Sequence, residues 1–284
     1  MSVAKLLDQI AEQHNLRIKT YSPLSGGDIN EVFLLTSEED GKLVVKLNDT
    51  HKFPGMFEAE KLGLEQLRQP GVIDIPKVIA VGSLGNTAYL LLEYKKSRPK
   101  APDFAERFGQ QLAALHKTTS KEFGFPEDNY IGSLPQYNQA SKSAADFYIG
   151  QRLEPQLSMA KDRGYSLHLT GDFFRNISEI IPKEPPALIH GDLWNGNYLV
   201  NEKGLPCLID PATAYAPREM DLAMMKLFGG FPEEIFSAYN ARFPLVPGLG
   251  ERVPLWQLYY LLVHLNLFGK SYLASVNNII KKYS

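Results

Sequence analysis

Three oxygen-bearing side chains in the second half of the sequence have spacings that suit phosphoryl transfer. Asp192 and Asn197 are five residues apart in the segment His-Gly-Asp-Leu-Trp-Asn-Gly-Asn, and Asp210 follows 13 residues after Asn197 at the end of an apolar segment. Mg²⁺ prefers oxygen ligands, and a carboxylate can also accept the proton of a reacting hydroxyl group. We therefore expect Asp192 to be the catalytic base and Asn197 and Asp210 to bind a magnesium ion.

A lysine upstream could supply the positive charge that such a site needs. Lys46 is the single cation within the apolar segment 43–47. Burying an uncompensated lysine is costly, so this side chain needs a carboxylate partner or an anionic ligand. We expect Glu60, on the next predicted helix, to be the partner, with Glu58 as the alternative.

A turn with two adjacent glycines separates the first two predicted strands. It reads Ser-Gly-Gly-Asp-Ile-Asn at residues 25–30. Taken alone, two glycines between strands mark an ordinary hairpin, but backbone N–H groups in such a turn can also bind phosphates. Because the turn precedes Lys46 and Asp192, we expect it to bind a nucleotide through Gly26, Gly27, Asp28, Ile29 and Asn30.

The order of these parts resembles a known superfamily of kinases. The interval from Asp192 to Asn197 is that of the kinase catalytic loop. The order of motifs resembles that of the protein-kinase-like aminoglycoside and choline phosphotransferases. It runs from a glycine turn through a strand lysine and a helix glutamate to His-Gly-Asp-x-x-x-x-Asn and Ile-Asp. The chain more closely resembles the fructosamine kinase (ketosamine 3-kinase) family. That resemblance is carried by segments 25–30, 56–64, 123–125, 129–132, 135–136, 151–157, 190–197, 218–224 and 227–231.

The resemblance implies an activity, a cofactor and further site residues. The family phosphorylates the 3-hydroxyl of a ketoamine, the adduct that a sugar leaves on an amine, at the expense of ATP with Mg²⁺. The 3-phosphate then eliminates and frees the amine, so the biological role is deglycation. By the same resemblance, Leu92, Glu93 and Tyr94 form the hinge that binds adenine. Trp194, Arg218 and Glu219 are assigned to the substrate site, although the commoner Tyr-x-Gly-His-Arg-Glu is here Tyr-Ala-Pro-Arg-Glu at 215–219.

Several residues around the motif have competing interpretations. Trp194 could stack on the sugar or amine of the substrate, or it could only pack locally. We interpret His190 as a structural hydrogen-bonding residue of the loop. We expect Asp221, at the start of a helix, to bind the backbone of the catalytic loop.

Other functions fit part of the pattern. A kinase of the same fold could act on choline, homoserine or an aminoglycoside, and an inactive nucleotide-binding module is a further alternative. The latter is disfavoured because Lys46, Asp192, Asn197 and Asp210 are all present. A protein kinase is disfavoured because the next predicted helix follows Asp210 too soon for a long activation segment. The pocket shape decides among fructosamines, ribulosamines, free glycated amino acids and glycated proteins, and it cannot be read from one sequence.

The elements that must position these residues divide the chain into two parts. We predict an α+β, protein-kinase-like fold with an N-lobe at 1–95 and a mostly helical C-lobe at 96–284. The N-lobe has a helix at 3–14, an antiparallel sheet of strands 17–24, 30–36, 42–48, 77–82 and 87–94, and a helix at 54–67 after the third strand. The C-lobe has predicted helices at 103–116, 144–163, 172–181, 217–228, 232–242 and 255–276, with a loop and a small hairpin at 187–209.

Bulk composition limits partners and location. The 284 residues include 30 basic and 32 acidic side chains, with no long basic run, so we expect neither nucleic-acid nor membrane binding. The apolar segment 255–268 is too short for a bilayer, and residues 1–14 lack a signal peptide's apolar stretch. Cys207 is the only cysteine, which fits a reducing cytoplasm. The oligomeric state stays open.

Overall fold

A five-stranded antiparallel sheet forms the first lobe. The computed structural model describes residues 2–24, 29–37 and 41–284. The strands are β1 (Ile18–Pro23), β2 (Glu31–Ser37), β3 (Lys42–Asp49), β4 (Val78–Leu84) and β5 (Thr87–Glu93), in the spatial order β1-β2-β3-β5-β4. Helix α1 (Val3–Gln13) precedes the sheet, and α2 (Met56–Arg68) follows β3. The predicted sheet with one helix after its third strand is confirmed.

The alternation of β3 determines which side of the sheet Lys46 faces. Successive side chains of a strand point to opposite faces. Leu43, Val45 and Leu47 pack in one cluster with the apolar face of α1. Lys46 therefore points to the other face, where α2 packs. This is the face that borders the cleft between the lobes.

Contacts with the second lobe hold α2 at both ends. The hydroxyl of Tyr130 donates to the carbonyl of Pro54, just before the helix, at 2.8 Å. Near its end, the side-chain amide of Gln66 donates to the hydroxyl of Tyr215 at 3.1 Å. In between, a Cβ on Gly63 would lie 2.8 Å from Thr213 Oγ1, so only glycine allows this close approach. Helix α2 therefore contacts the second lobe near both of its ends and in its middle.

The second lobe is mostly helical. Its helices are α3 (Phe104–His116), α4 (Ala144–Phe147), α5 (Glu154–Asp162), α6 (Phe173–Ile180), α7 (Glu219–Leu227), α8 (Glu233–Arg242), α9 (Leu249–Phe268) and α10 (Leu273–Tyr283). A π-helical turn (Tyr148–Leu153) joins α4 to α5, so the predicted helix at 144–163 is interrupted. The long α9 is buried over most of its length and carries the centre of this lobe's core.

The predicted single helix at 255–276 is wrong. The helix begins earlier, at Leu249, and ends at Phe268. Gly269 has φ +93° and ψ −164°, a conformation that is strained for any residue with a side chain. A 3₁₀ turn (Lys270–Tyr272) and α10 follow. The apolar pattern continues through this break and therefore conceals it.

Three short strand pairs lie where the second lobe meets the cleft. They are β6 (Asn129–Ile131) with β7 (Leu134–Gln136), β8 (Ala187–Ile189) with β11 (Ala214–Ala216), and β9 (Tyr198–Val200) with β10 (Pro206–Leu208). The β9–β10 pair is the small hairpin expected from the sequence, whereas the β6–β7 hairpin was not predicted. Among the residues that the structure describes, no helix is long and apolar enough to cross a membrane.

Candidate active site

Asp221, in the first turn of α7, organises the backbone of the catalytic loop. Its carboxylate accepts hydrogen bonds from the backbone N–H groups of His190 and Gly191, both at 2.8 Å, and from His116 Nε2 at 3.2 Å. Burial by itself would raise the pKa of this carboxyl group, but the hydrogen bond and charge of His116, with smaller contributions from His190 and Gly191, hold the pKa below its usual value. The loop is thus anchored to an ionised, buried carboxylate, as expected for Asp221.

His190 has a structural role in the same loop. The backbone N–H of Asp192 donates to its Nδ1 at 3.2 Å, so Nδ1 must be unprotonated. Its Nε2 therefore carries the proton and donates to the carbonyl of Ile209 at 2.8 Å. Burial lowers the pKa of His190 and keeps the ring neutral. The imidazole thereby ties the loop to the residue before Asp210.

Gly191 lets the chain pass close to the segment after Asp210. It has φ +84°, and a Cβ there would lie 2.0 Å from the carbonyl oxygen of Ala212. The hydroxyl of Tyr260 on α9 donates to the Gly191 carbonyl at 3.0 Å. The backbone next to Asp192 is therefore fixed from two sides.

Asp192 and Asn197 form the centre of the site. The side-chain amide of Asn197 donates to the backbone carbonyl of Asp192 at 2.8 Å and to its carboxylate at 3.0 Å. Burial, together with the negative charges of Asp210 and Asp221, raises the pKa of Asp192 to about 7, although the Asn197 hydrogen bond acts in the opposite direction. A carboxylate with a pKa near the working pH is well matched to general-base catalysis.

Lys46 joins the two lobes at the charged end of the cleft. Its Nζ lies 2.5 Å from Glu60 Oε1 and 2.5 Å from Asp210 Oδ1. Burial alone would lower the pKa of Lys46, but these two carboxylates raise it, so the lysine stays charged. Glu58 is exposed to solvent, and the alternative left open by the sequence is decided in favour of Glu60.

Asn197 and Asp210 offer oxygen ligands that fit Mg²⁺. Because the Asn197 amide nitrogen is engaged with Asp192, its amide oxygen is left to face a metal. The side chain of Asp210 is 43% exposed although its Oδ1 contacts Lys46. The described residues contain no group of three or more His, Cys, Asp or Glu side chains that could bind a metal ion by themselves. This donor set suits Mg²⁺, which is typically bound by one or two carboxylates together with substrate phosphates and water.

A cavity of about 780 Å³ extends from these residues to α9. Ile29 and Asn30 also line it, whereas Gly26, Gly27 and Asp28 lie outside the described residues. At the other end its walls are largely aromatic. Phe228, His264, Phe268 and Tyr272 form one cluster of rings there. Tyr130, Trp194 and Tyr260 also line the cavity, but Tyr130 contacts Pro54 and Tyr260 contacts Gly191 beside Asp192.

Trp194 lines this cavity. Its ring also lies against Gly196, where a Cβ would be only 2.2 Å from the indole. The side chain is 40% exposed. Trp194 is thus both packed locally and available to a ligand, and the two interpretations from the sequence are compatible.

Five of the expected site residues lie elsewhere. Leu92 is buried in an apolar cluster that spans both lobes, and the backbone N–H of Glu93 donates to the carbonyl of Lys77. Neither these two nor Tyr94 lines the cavity that contains Asp192. The buried Arg218 binds Glu184 and the carbonyls of Phe243 and Pro244. The buried Glu219 accepts from Arg252 at 2.6 Å and from Trp256 Nε1 at 2.8 Å.

The positions of Arg218 and Glu219 correct the sequence-based expectation about the substrate. Both charges are compensated inside the second lobe, and neither side chain lines the cleft. A buried ion pair next to a motif looks the same in sequence as a pair that faces a ligand. We leave both residues out of the substrate site.

A buried polar network supports the segment after Asp210, and the sequence analysis did not identify it. Asn129 donates to the carbonyl of Thr213 at 2.9 Å, and Gln136 donates to that of Ala212 at 3.1 Å. Arg152, on the π-helical turn, donates to Asn138 at 2.8 Å, and Asn138 in turn donates to Asn129 at 3.1 Å. In the sequence, the Asn-Tyr-Ile-Gly and Gln-Arg-Leu segments were the signal that could have pointed to this network. The polar side chains of these segments form hydrogen bonds that hold the backbone in place, and none of them places a charge in the cavity.

Comparisons with known proteins agree with this geometry. The family model described as fructosamine kinase matches residues 1–284. A Vibrio parahaemolyticus protein named "Probable ketoamine kinase" is 41% identical over 263 residues, which cover 91% of this chain and 90% of that protein. A candidate fructosamine-3-kinase of known structure from Thermobifida fusca is 35% identical, with a TM-score of 0.84 and 99% of each chain covered.

A more distant structure shows how widely the fold is shared. The GDP complex of aminoglycoside 2'-phosphotransferase-IIIa has a TM-score of 0.59 at 16% identity and covers 99% of this chain and 98% of its own. At this identity the likeness concerns the fold alone. The predicted two-lobed, kinase-like architecture is confirmed.

Proposed function

Because the chain belongs to the fructosamine kinase family, we propose that it transfers the γ-phosphoryl group of ATP to the 3-hydroxyl of a ketosamine. The observation that carries this proposal is the position of Asp192. Its carboxylate, with a pKa near 7, lies in the wall of a cavity that is charged at one end and aromatic at the other. The names of the relatives support a ketosamine as the acceptor.

The side chains divide the work of phosphoryl transfer. Asp192 orients the acceptor hydroxyl and accepts its proton as the new bond between the sugar oxygen and phosphorus forms and the bond to ADP breaks. Lys46 is held by Glu60 and turns from Asp210 to the phosphates when a nucleotide binds. Ile29 and Asn30, which line the cavity, would lie beside the nucleotide. Leu92, Glu93 and Tyr94 do not line the cavity, and the Glu93 N–H is already bonded to Lys77, so we assign no adenine contact to them.

Asn197 and Asp210 would bind Mg²⁺ in this scheme. When bound, the metal neutralises charge on the phosphates. Asn197→Ala and Asp210→Ala should each raise the Mg²⁺ concentration needed for half-maximal activity by at least about tenfold. A loss of turnover with an unchanged Mg²⁺ requirement would count against these two ligands.

Deglycation is the proposed consequence of the reaction. A phosphate on carbon 3, beside the ketone carbon, is a good leaving group. After a proton leaves carbon 1 and the phosphate is eliminated, the nitrogen is left as an imine, and water hydrolyses this imine to the free amine and a dicarbonyl sugar. We also infer a cytoplasmic location, which the single buried Cys207 supports because it requires no oxidising compartment.

A coupled assay of ADP release tests the proposal. We would compare the N-propyl ketosamines of fructose and ribulose with choline, homoserine and kanamycin, and locate the new phosphate by NMR. Turnover of a ketosamine with the phosphate on carbon 3 is expected. Efficient turnover of choline, homoserine or kanamycin without turnover of any ketosamine would overturn the proposal.

A further inference from the structure

His264 has an unused hydrogen-bond acceptor in the wall of the cleft. Its Nδ1 lies 2.7 Å from the carbonyl of Tyr260 and must donate to it, because a carbonyl only accepts. Burial lowers the pKa of His264, so the ring is neutral and Nε2 carries a lone pair. No group within residues 2–24, 29–37 and 41–284 forms a hydrogen bond with Nε2.

Aromatic rings from three elements surround this imidazole. The ring centroids of Phe228, Phe268 and Tyr272 lie 4.9, 5.4 and 5.2 Å from that of His264. Phe228 and Phe268 both line the cavity and are 45% and 55% exposed. Exposed ring faces attract cations, and a group of them around one point can enclose a cationic amine.

The charges of the cavity are confined to its other end. Its acidic lining residues are Glu60, Asp192 and Asp210, and its lysine is Lys46. All four belong to the phosphoryl-transfer site. The described residues that line the aromatic end include no carboxylate, lysine or arginine. A cation there would be bound by ring faces and by Nε2 of His264.

The distance from the reacting group fits the length of a ketosamine. Tyr260 contacts Gly191, the residue before Asp192, and His264 lies one helical turn farther along α9, about 6 Å along the helix axis. In a ketosamine, about four covalent bonds separate the oxygen on carbon 3 from the amine nitrogen, or about 5 Å when extended. Asp192 and His264 line the same cavity, so a ketosamine whose hydroxyl lies at Asp192 can extend along the wall that carries His264.

We propose that His264 binds the protonated secondary amine of the substrate by accepting one of its N–H groups at Nε2, inside the cage formed by Phe228, Phe268 and Tyr272. The cage compensates the charge, and the imidazole fixes the position of the nitrogen. This inference rests on the proposed function, because it assigns the end of the ketosamine that Asp192 does not contact.

The test combines a protein variant with a change of one ligand atom. His264→Phe keeps a ring of similar size but removes the acceptor. The ligands are the N-propyl ketosamine of fructose and its ether analogue, in which oxygen replaces the amine N–H. We expect the KM of the amine to rise about 10- to 100-fold in the variant, since hydrogen bonds to charged groups contribute this much, while its kcat changes little. The KM of the ether should stay within about twofold.

Two further variants control for packing. His168→Phe makes the same substitution at an exposed histidine that does not line the cavity, and it should leave both KM values unchanged. His264→Gln retains an acceptor and should recover part of the affinity for the amine. Thermal melting of each variant checks that the fold is intact.

The outcomes separate this inference from the function it rests on. Equal increases of KM for amine and ether would show that His264 binds a sugar hydroxyl, and unchanged values for both would remove it from the substrate site; either result overturns the inference. If the wild-type protein phosphorylates no ketosamine, the proposed function itself fails.

Discussion

Lys46, Asn197 and three carboxylates are paired by hydrogen bonds around the phosphoryl-transfer site, whereas aromatic rings and one neutral histidine form the wall along α9. At the first end Lys46 is paired with Glu60 and Asp210, and Asp192 accepts a hydrogen bond from Asn197, before any ligand binds. At the second end the rings have exposed faces, and the ligand must bring the charge. One end is thus built to hold a fixed geometry, and the other to receive groups of varying shape.

This difference predicts how substitutions will act. Removing one member of a buried charge pair leaves the other uncompensated, which costs far more than the pair contributes. Removing one ring from an aromatic wall takes away a single contact among several. Variants at the charged end should therefore reduce turnover or nucleotide use strongly, and variants at the aromatic end should act in a graded way on substrate affinity.

Asp192→Asn should produce the largest effect. We expect kcat to fall about 10²- to 10⁴-fold, the usual contribution of a positioned general base, with the dissociation constant for ATP nearly unchanged. The raised pKa of Asp192 means that its ionised form is unfavourable in the folded protein, so the neutral variant should melt no lower than the wild type. A variant that keeps more than a tenth of the turnover would exclude Asp192 as the base.

Lys46 and its partner should show the next largest effect. Lys46→Ala should raise the KM for ATP about 10- to 100-fold, and Glu60→Gln should raise it less, because the lysine remains but is poorly held. Glu58→Gln, two residues away on the same helix but exposed, is the matched control and should change nothing. Strictly additive losses in the Lys46–Glu60 double variant would show that the two are not coupled.

The pH dependence of kcat/KM should be determined only by residues at the charged end of the cavity. As the proposed base, Asp192 must be ionised, and its pKa is raised to about 7, so activity should be present above that pH and be lost as the pH falls through it. Between pH 8 and pH 6, kcat/KM should fall about tenfold. Trp194→Ala should lower the whole profile without moving its midpoint; a shifted midpoint would show that the two ends are not independent.

Trp194→Ala should give the smallest effect. The loss of one ring face should raise the KM for the ketosamine about 2- to 30-fold, while the KM for ATP stays the same. Trp194→Phe retains a flat face and should fall between the variant and the wild type. An unchanged ketosamine KM in the alanine variant would remove Trp194 from the site.

The sequence predicted the first lobe well because its signals are local. Each of the five strands and α2 lies within about two residues of its predicted position, as expected where apolar alternation and turns agree. The β6–β7 hairpin has only three residues in each strand, and its Asn129, Pro135 and Gln136 break the apolar character that marked the equally short β9–β10 pair. The break at Gly269 depends on how α10 packs, which periodicity does not show.

Site residues that stand together in one sequence motif could be predicted. Residues that only the fold brings together could not. Asp192, Asn197 and Asp210 stand in one motif, but Lys46 meets Asp210 across 164 residues, and no local pattern encodes that contact. Arg218 and Glu219 could not be distinguished from ligand-facing charges until their partners were visible. His264 lies within an apolar helix, where it looks like an interruption of the core.

The hydrogen bonds that hold α2 to the second lobe have a consequence for how the activity of the enzyme is regulated. In protein kinases, positioning of the equivalent helix and its glutamate decides whether the enzyme is on or off. Here an outward movement of α2 would break the Tyr130–Pro54 and Gln66–Tyr215 hydrogen bonds together. We therefore expect an enzyme that is competent as soon as it folds, with its output governed by the supply of glycated amines. Inhibitors that bind only when α2 is displaced should therefore not bind this enzyme. Selective compounds should instead be sought among ligands of the aromatic wall.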